Sequence, residues 1–145
     1  MKTYQPKIKE IKRDWHLLDA RDKVLGRLAT KAAQILMGKN KVTYSQHLDS
    51  GDYVVILNAG KVVLTGKKST QKVYRSHSGY PGGFKEVSYA KLAKENPAKV
   101  IELAVAGMLP TNKLKEPRLK RLKVIVGDNN PYQDKVKKQV GEEVK

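Results

Sequence analysis

The chain has 145 residues, of which 30 are Lys or Arg and 14 are Asp or Glu, giving a formal net charge of +16. It has no cysteine, which excludes disulfide frameworks, thiolate nucleophiles and cysteine-ligated zinc. So strong a charge repels itself and calls for an anionic partner, and RNA is favoured over a membrane because no long apolar run or broad-faced amphipathic helix is present.

With 39% hydrophobic residues and no internal repeat, the composition suits one core of moderate size. Residues 1–14 read as a basic amino-terminal arm carrying Lys2, Lys7, Lys9, Lys12 and Arg13, which RNA could order. This stretch lacks the apolar core of a signal peptide, so the expected location is the cytosol.

The short apolar run 15–19, Trp-His-Leu-Leu-Asp, predicts a buried strand that ends at a polar turn, 20–23. Leu25, Leu28, Ala29, Ala32, Ile35 and Leu36 recur at three- and four-residue spacing and predict a helix, with Gly38 placed to stop it. Residues 53–57, Tyr-Val-Val-Ile-Leu, form the nearly continuous apolar run of a strand covered on both faces in a parallel sheet. Strand, helix, strand implies a right-handed crossover. Over five positions periodicity leaves 61–65 open between strand and short helix.

Further along, 88–95 predicts a helix capped by Ser88. In a second helix Asn96 caps, Pro97 takes the first turn, and Val100, Ile101, Ala104 and Val105 form the buried stripe up to the stop at 107–110. Residues 124–126 predict a last short strand, and the tail begins at Gly127. The resulting architecture is α/β, a single domain over 15–126 with a small, mostly parallel sheet between helices, followed by the tail 127–145.

Two segments concentrate the chemistry of RNA binding. In 66–85, Lys67, Lys68, Lys72, Arg75 and Lys85 face no acid within the segment. Glycines there let a phosphate chain approach the backbone, Tyr74, Tyr80 and Phe84 offer stacking faces, and His77 is placed to donate to a phosphate. In 113–123, Lys113, Lys115, Arg118, Lys120, Arg121 and Lys123 meet only Glu116. If Leu114, Leu119 and Leu122 pack inward, these cations share an outer face and form a row of phosphate contacts. Lysine outnumbers arginine 24 to 6, which suits phosphate neutralisation better than bidentate reading of bases.

Catalytic readings fare worse. The nearest approach to a phosphate loop, 60–68, has five residues between its glycines instead of four, and Lys68 stands where a magnesium-holding hydroxyl belongs. Gly79, Gly82 and Gly83 have the wrong spacing for a dinucleotide fingerprint. His47, Asp49 and Asp52 read as a hydrogen-bonded turn before a metal site, and Ser76, His77 and Ser78 lack an orienting carboxylate. No cofactor or metal is expected. A small nucleotide-binding enzyme and a general DNA-binding protein remain the alternatives.

Several blocks carry a family resemblance: Asp19-Ala20 with 25–29 (Leu-Gly-Arg-Leu-Ala), Gly51-Asp52 before the apolar strand, Asn58-Ala59, and 64–68 (Leu-Thr-Gly-Lys-Lys). With them go 77–83 (His-Ser-Gly-Tyr-Pro-Gly-Gly) and 104–110 (Ala-Val-Ala-Gly-Met-Leu-Pro). Together they resemble the L-thirteen family of large-subunit ribosomal proteins of bacterial type, from about residue 15 to 126. The resemblance implies a three-layer α/β/α domain around a four-stranded parallel sheet and no catalysis. It also implies binding to large-subunit rRNA early in subunit assembly, as a monomer beside neighbouring ribosomal proteins. The chain departs from the family pattern at Asp22, where glycine is usual, and at 129–133, where the family has a histidine-rich ending.

Overall fold

In the computed structural model, which describes residues 6–136, the apolar runs become the parallel strands β1 (Trp15–Asp19), β2 (Tyr53–Leu57) and β5 (Leu122–Val124). They pair in the order β1-β2-β5, with Leu18 beside Ile56 and Ile56 beside Val124. The last strand lies two residues earlier than the apolar triplet 124–126 suggests. Ile125 still donates to Ile56 O at 2.8 Å, so the ladder continues just past the strand.

The expected four-stranded parallel sheet is corrected to a three-stranded one. The other two strands, β3 (Val73–His77) and β4 (Phe84–Ser88), form a separate antiparallel hairpin. Residues 61–65 contribute one parallel bridge, Val63 to Val24. Helix α1 (Leu25–Met37), between β1 and β2, packs on α4 (Pro97–Met108), between β2 and β5. Two right-handed crossovers running in the same direction along a sheet place their helices on the same face, which accounts for α1 and α4 forming one layer.

That layer makes the core. Leu25, Leu28, Ala29, Ala32, Leu36, Val100, Ile101 and Val105 meet the strand row Leu18, Val54, Ile56 and Leu122, all buried. Burial of this apolar stripe, more than helix propensity, holds α1 in place. Its end follows the sequence expectation, with Gly38 left-handed at φ 78° and its N–H bonded back to Gln34 O and Ile35 O. Nearby, Gly51 passes so close to α1 that a Cβ there would lie 1.7 Å from Leu36 O. The cap of α4 is also as expected, Asn96 Oδ1 accepting from Lys99 N at 3.1 Å with Pro97 following. Ser88 precedes α3 (Tyr89–Glu95) in extended conformation without a side-chain capping bond. Asp22 stands at φ 57°, a left-handed turn position that explains why glycine suits this place.

The opposite face of the sheet is covered in part by residues 127–136, of which 133–136 are helical, with Gln133 and Val136 beside Leu17 and Leu57. Trp15 stacks on Tyr53 at 4.3 Å and on Tyr132 at 5.4 Å, while Leu17, expected in the core, is 45% exposed. Residues 127–136, which read as the start of a tail, are fastened along this side. Asn58 Nδ2 donates to Asp128 at 2.7 Å and to Asp19 at 3.0 Å, and Arg21 bonds Asp128 at 3.0 Å. Asn130, buried, accepts from Tyr132 N. Lys2 of the arm and residues 137–145 of the tail lie outside the described residues.

Candidate nucleic-acid interface

The hairpin is built so that its base packs and its tip projects. Register pairs Tyr74 with Val87, Arg75 with Glu86, Ser76 with Lys85 and His77 with Phe84. Tyr74 and Val87 are half-buried at the base, and from Arg75 to Glu86 almost every residue is exposed. Tyr80 is 76% exposed and Phe84 56%.

The tip owes its shape to its own residues. Gly83 N donates to Tyr80 O at 2.9 Å across Pro81 and Gly82, and Gly82 is left-handed at φ 72°. This is a type II turn, with proline fixing the first central position and glycine supplying the positive φ of the second. Gly79 N donates to His77 Nδ1 at 2.9 Å. In the neutral ring that bond makes Nδ1 the acceptor and leaves Nε2–H free to donate outward. The loop is therefore ordered by its own bonds, with an aromatic ring and a ring N–H presented to solvent.

The hairpin cations do not share one face. Strand alternation sets Arg75, His77 and Phe84 on one side and Lys85 with Ser76 on the other. Arg75 is moreover paired with Glu86 directly opposite, Nε to Oε2 at 3.3 Å. That acid lies one residue beyond the segment that looked free of negative charge. Lys67 and Lys68 are exposed at the start of α2 (Lys68–Gln71). Lys72 is half-buried, its Nζ 5.3 Å from the centre of the Tyr74 ring. Burial raises the pKa of the Tyr74 phenol, with a smaller contribution from Tyr89.

The second cation row requires the larger correction. Residues 115–120 form α5 (Lys115–Lys120), with Pro117 tolerated because it falls in the first turn. Lys113 and Lys120 are exposed, and Lys115 and Lys123 are half-buried. Arg118 and Arg121 are 2% and 6% exposed, so they share no outer face with the lysines. Both turn inward to Asp49. Arg121 Nη1 and Nη2 bond its two carboxylate oxygens at 2.5 and 2.6 Å, Arg121 Nη2 also donates to Leu36 O at 3.3 Å, and Arg118 Nε stands 3.5 Å from Oδ1. Leu114, Arg118 and Arg121 fall four and three residues apart, the spacing of one helix face. The partner acid lies some seventy residues earlier, and no local signal announces it.

Asp49 is thus engaged as a counterion, and Asp52, fully buried, is engaged elsewhere. Asp52 accepts from Asp14 N at 3.0 Å and from His16 Nε2 at 3.0 Å, and it pairs with Lys41 Nζ. Burial acts to raise the Asp52 pKa, but the bonds from His16, Lys41 and Asp14 together outweigh it and leave the pKa below the ordinary aspartate value. His47 is exposed, and no group of three or more potential metal ligands occurs among the described residues. Nor is any described helix long and apolar enough to cross a membrane.

Three cations that sequence reasoning passes over are exposed beside α1: Arg27, Lys31 and Lys39. In the sequence they are diluted by the apolar stripe between them and form no run. Their four- and eight-residue spacing is the only available signal.

Comparison with known proteins bears on the same residues. Residues 13–131 match the family described as Ribosomal protein L13. The chain is 56% identical over 132 residues to the large ribosomal subunit protein uL13 of Salinispora arenicola, covering 91% of this chain and 90% of that protein. It is 54% identical over 131 residues to the uL13 of Natranaerobius thermophilus, covering 90% and 92%. With the uL13 of Legionella pneumophila it shares 50% identity over 140 residues, 97% of each chain.

Proposed function

The chain belongs to the ribosomal protein L13 family and is accordingly an rRNA-binding structural component of translation without catalytic activity; from that premise we propose which of its surfaces hold the RNA. The observation that carries the proposal is the projecting hairpin, whose tip is ordered by its own turn while Tyr80, Phe84 and His77 Nε2 face solvent. The hairpin acts as a finger gripped by large-subunit rRNA on both faces, Lys85 neutralising phosphate on one and His77 donating on the other. Lys67 and Lys68 extend the contact at its base, and Lys113 and Lys120 make a second one beside α5.

Arg118 and Arg121 have no place in this interface, and Arg75, Lys72, Lys115 and Lys123 have lesser ones, because ion pairing or partial burial already engages them. Lysine heads on a fixed scaffold recognise the path of the phosphate chain, so specificity comes from the folded shape of the RNA. The protein acts early in subunit assembly, in the cytoplasm, beside other large-subunit proteins. The test is binding to large-subunit rRNA against equal masses of small-subunit rRNA and random duplex DNA across a salt series. Preference for the large-subunit RNA that persists at physiological salt is the expected result. Equal binding that salt abolishes for all three would reduce the interaction to bulk charge and overturn the proposal.

A further inference from the structure

Two adjoining clefts run along the edge of the domain where β1 borders α1. The one toward the carboxyl end of α1, about 440 Å³, is lined by His16, Lys31, Gln34, Ile35, Lys39 and Asn40. The other, about 370 Å³, includes Arg27 and shares Lys31, so the two form one continuous furrow. Arg27 and Lys31 are one helical repeat apart on the same side of α1, and Lys39 follows just beyond the Gly38 turn. All three are exposed, and none makes an ion pair among the described residues.

The acids near the furrow are either spent or confined to one end. Asp52 behind His16 is fully buried and engaged by Lys41, His16 and Asp14 N. Asp22 lies at the far end of the second cleft, away from Lys39. Three further polar side chains complete the lining. Gln34 and Asn40 can each donate and accept, and His16 is held in place by Asp52, its Nε2 3.0 Å from the carboxylate.

Three unpaired cations over a concave wall of amides match an RNA backbone, with phosphates for the cations and ribose hydroxyls for the amides. We propose that this furrow is a further RNA-backbone site, separate from the hairpin and from α5, with Arg27, Lys31 and Lys39 neutralising phosphates and Gln34 and Asn40 meeting riboses. The inference rests on the reading of the protein as rRNA-binding and adds a contact surface to it.

The test is the combined variant Arg27→Gln, Lys31→Gln and Lys39→Gln, compared with a control of equal charge change, Lys91→Gln, Lys94→Gln and Lys99→Gln, on exposed positions of α3 and α4. Both are titrated with large-subunit rRNA over a salt series. At about 0.7–0.9 per phosphate contact, loss of three contacts lowers the log–log salt slope by about 2–3, with affinity roughly tenfold weaker or more at moderate salt. The control should change less, and melting temperature should stay near that of the parent in both. An unchanged slope, or losses equal in the two variants, would overturn the furrow. As a second measurement on the unmodified protein, bound rRNA should protect Lys31 and Lys39 from acetylation, and equal labelling with and without RNA would also overturn it. Failure of the underlying reading would look different, because the parent protein itself would then show no preference for large-subunit rRNA.

Discussion

Replacing Arg121 with Met separates a structural arginine from an RNA-binding one. The side chain is 6% exposed, bonds both oxygens of Asp49 at 2.5 and 2.6 Å, and donates to Leu36 O at 3.3 Å. Methionine fills similar volume and removes all three bonds. Taking one partner from a buried pair typically costs about 3–5 kcal/mol, because the other charge is stranded. Here Asp49 keeps Arg118 at 3.5 Å and Arg13 at 3.9 Å and has 15% side-chain exposure, so the penalty falls to about 2–3 kcal/mol. At about 3 °C per kcal/mol for a chain of this size, the melting temperature drops by about 6–9 °C. Urea unfolding and thermal scans measure the loss, and rRNA titration well below the melting temperature measures affinity, which should stay near the parent value. Lys113→Gln with Lys120→Gln should show the reverse, weaker binding and unchanged melting. If Arg121→Met melted like the parent and bound RNA poorly, the buried ion pair would be the wrong description of this residue. By the same reasoning, reversing the charge of Arg118 and Arg121 should unfold the domain and so reveals nothing about an RNA contact.

Gly51→Ala should destabilise the fold by about 3 kcal/mol, since its Cβ would meet a backbone oxygen of α1, Leu36 O, that only a shift of the whole helix could clear; a urea midpoint equal to the parent's would refute that close approach. Asp52 has a folded pKa below its ordinary 3.8, so it stabilises the fold at pH above that value and loses this contribution as pH falls from about 4 through the folded pKa. Asp52→Asn should therefore lower stability at pH 7 and flatten its acid dependence, and a parent-like slope of stability against pH between 5 and 2 would exclude Asp52 as a source. Tyr80→Ala and Phe84→Ala should each weaken rRNA binding by about 1–3 kcal/mol while leaving the melting temperature nearly unchanged, because both rings are more than half exposed. A fall in melting temperature with intact affinity would mean that the rings pack on the protein.

Sequence periodicity located α1 because its apolar residues repeat on one helix face, and glycine stopped it because only a left-handed residue closes the turn at Gly38. The hairpin went unread, because residues 66–85 read as a basic glycine loop, although Tyr-Pro-Gly-Gly encodes the turn at its tip locally. A continuous apolar run was a sound guide to burial as well. Residues 53–57 read as covered on both faces, and Val54, Val55 and Ile56 are all fully buried, Val54 and Ile56 against the helical core and Val55 on the side of the aromatic stack and residues 127–136.

The charge, the absence of cysteine, the strand–helix–strand order and the family motifs were therefore determined by the sequence alone, because each is a local or additive property. What the tertiary structure decided was where each charge goes. Arg118 and Arg121 belong to the same cationic run as Lys113 and Lys120, but Asp49 draws the arginines inside, while the lysines stay in water. Likewise, Arg27, Lys31 and Lys39 form no run in the sequence; α1 aligns them, and only its docking beside β1 makes the furrow that they border. Charge pairing depends on distance in space, and chain order does not carry that distance.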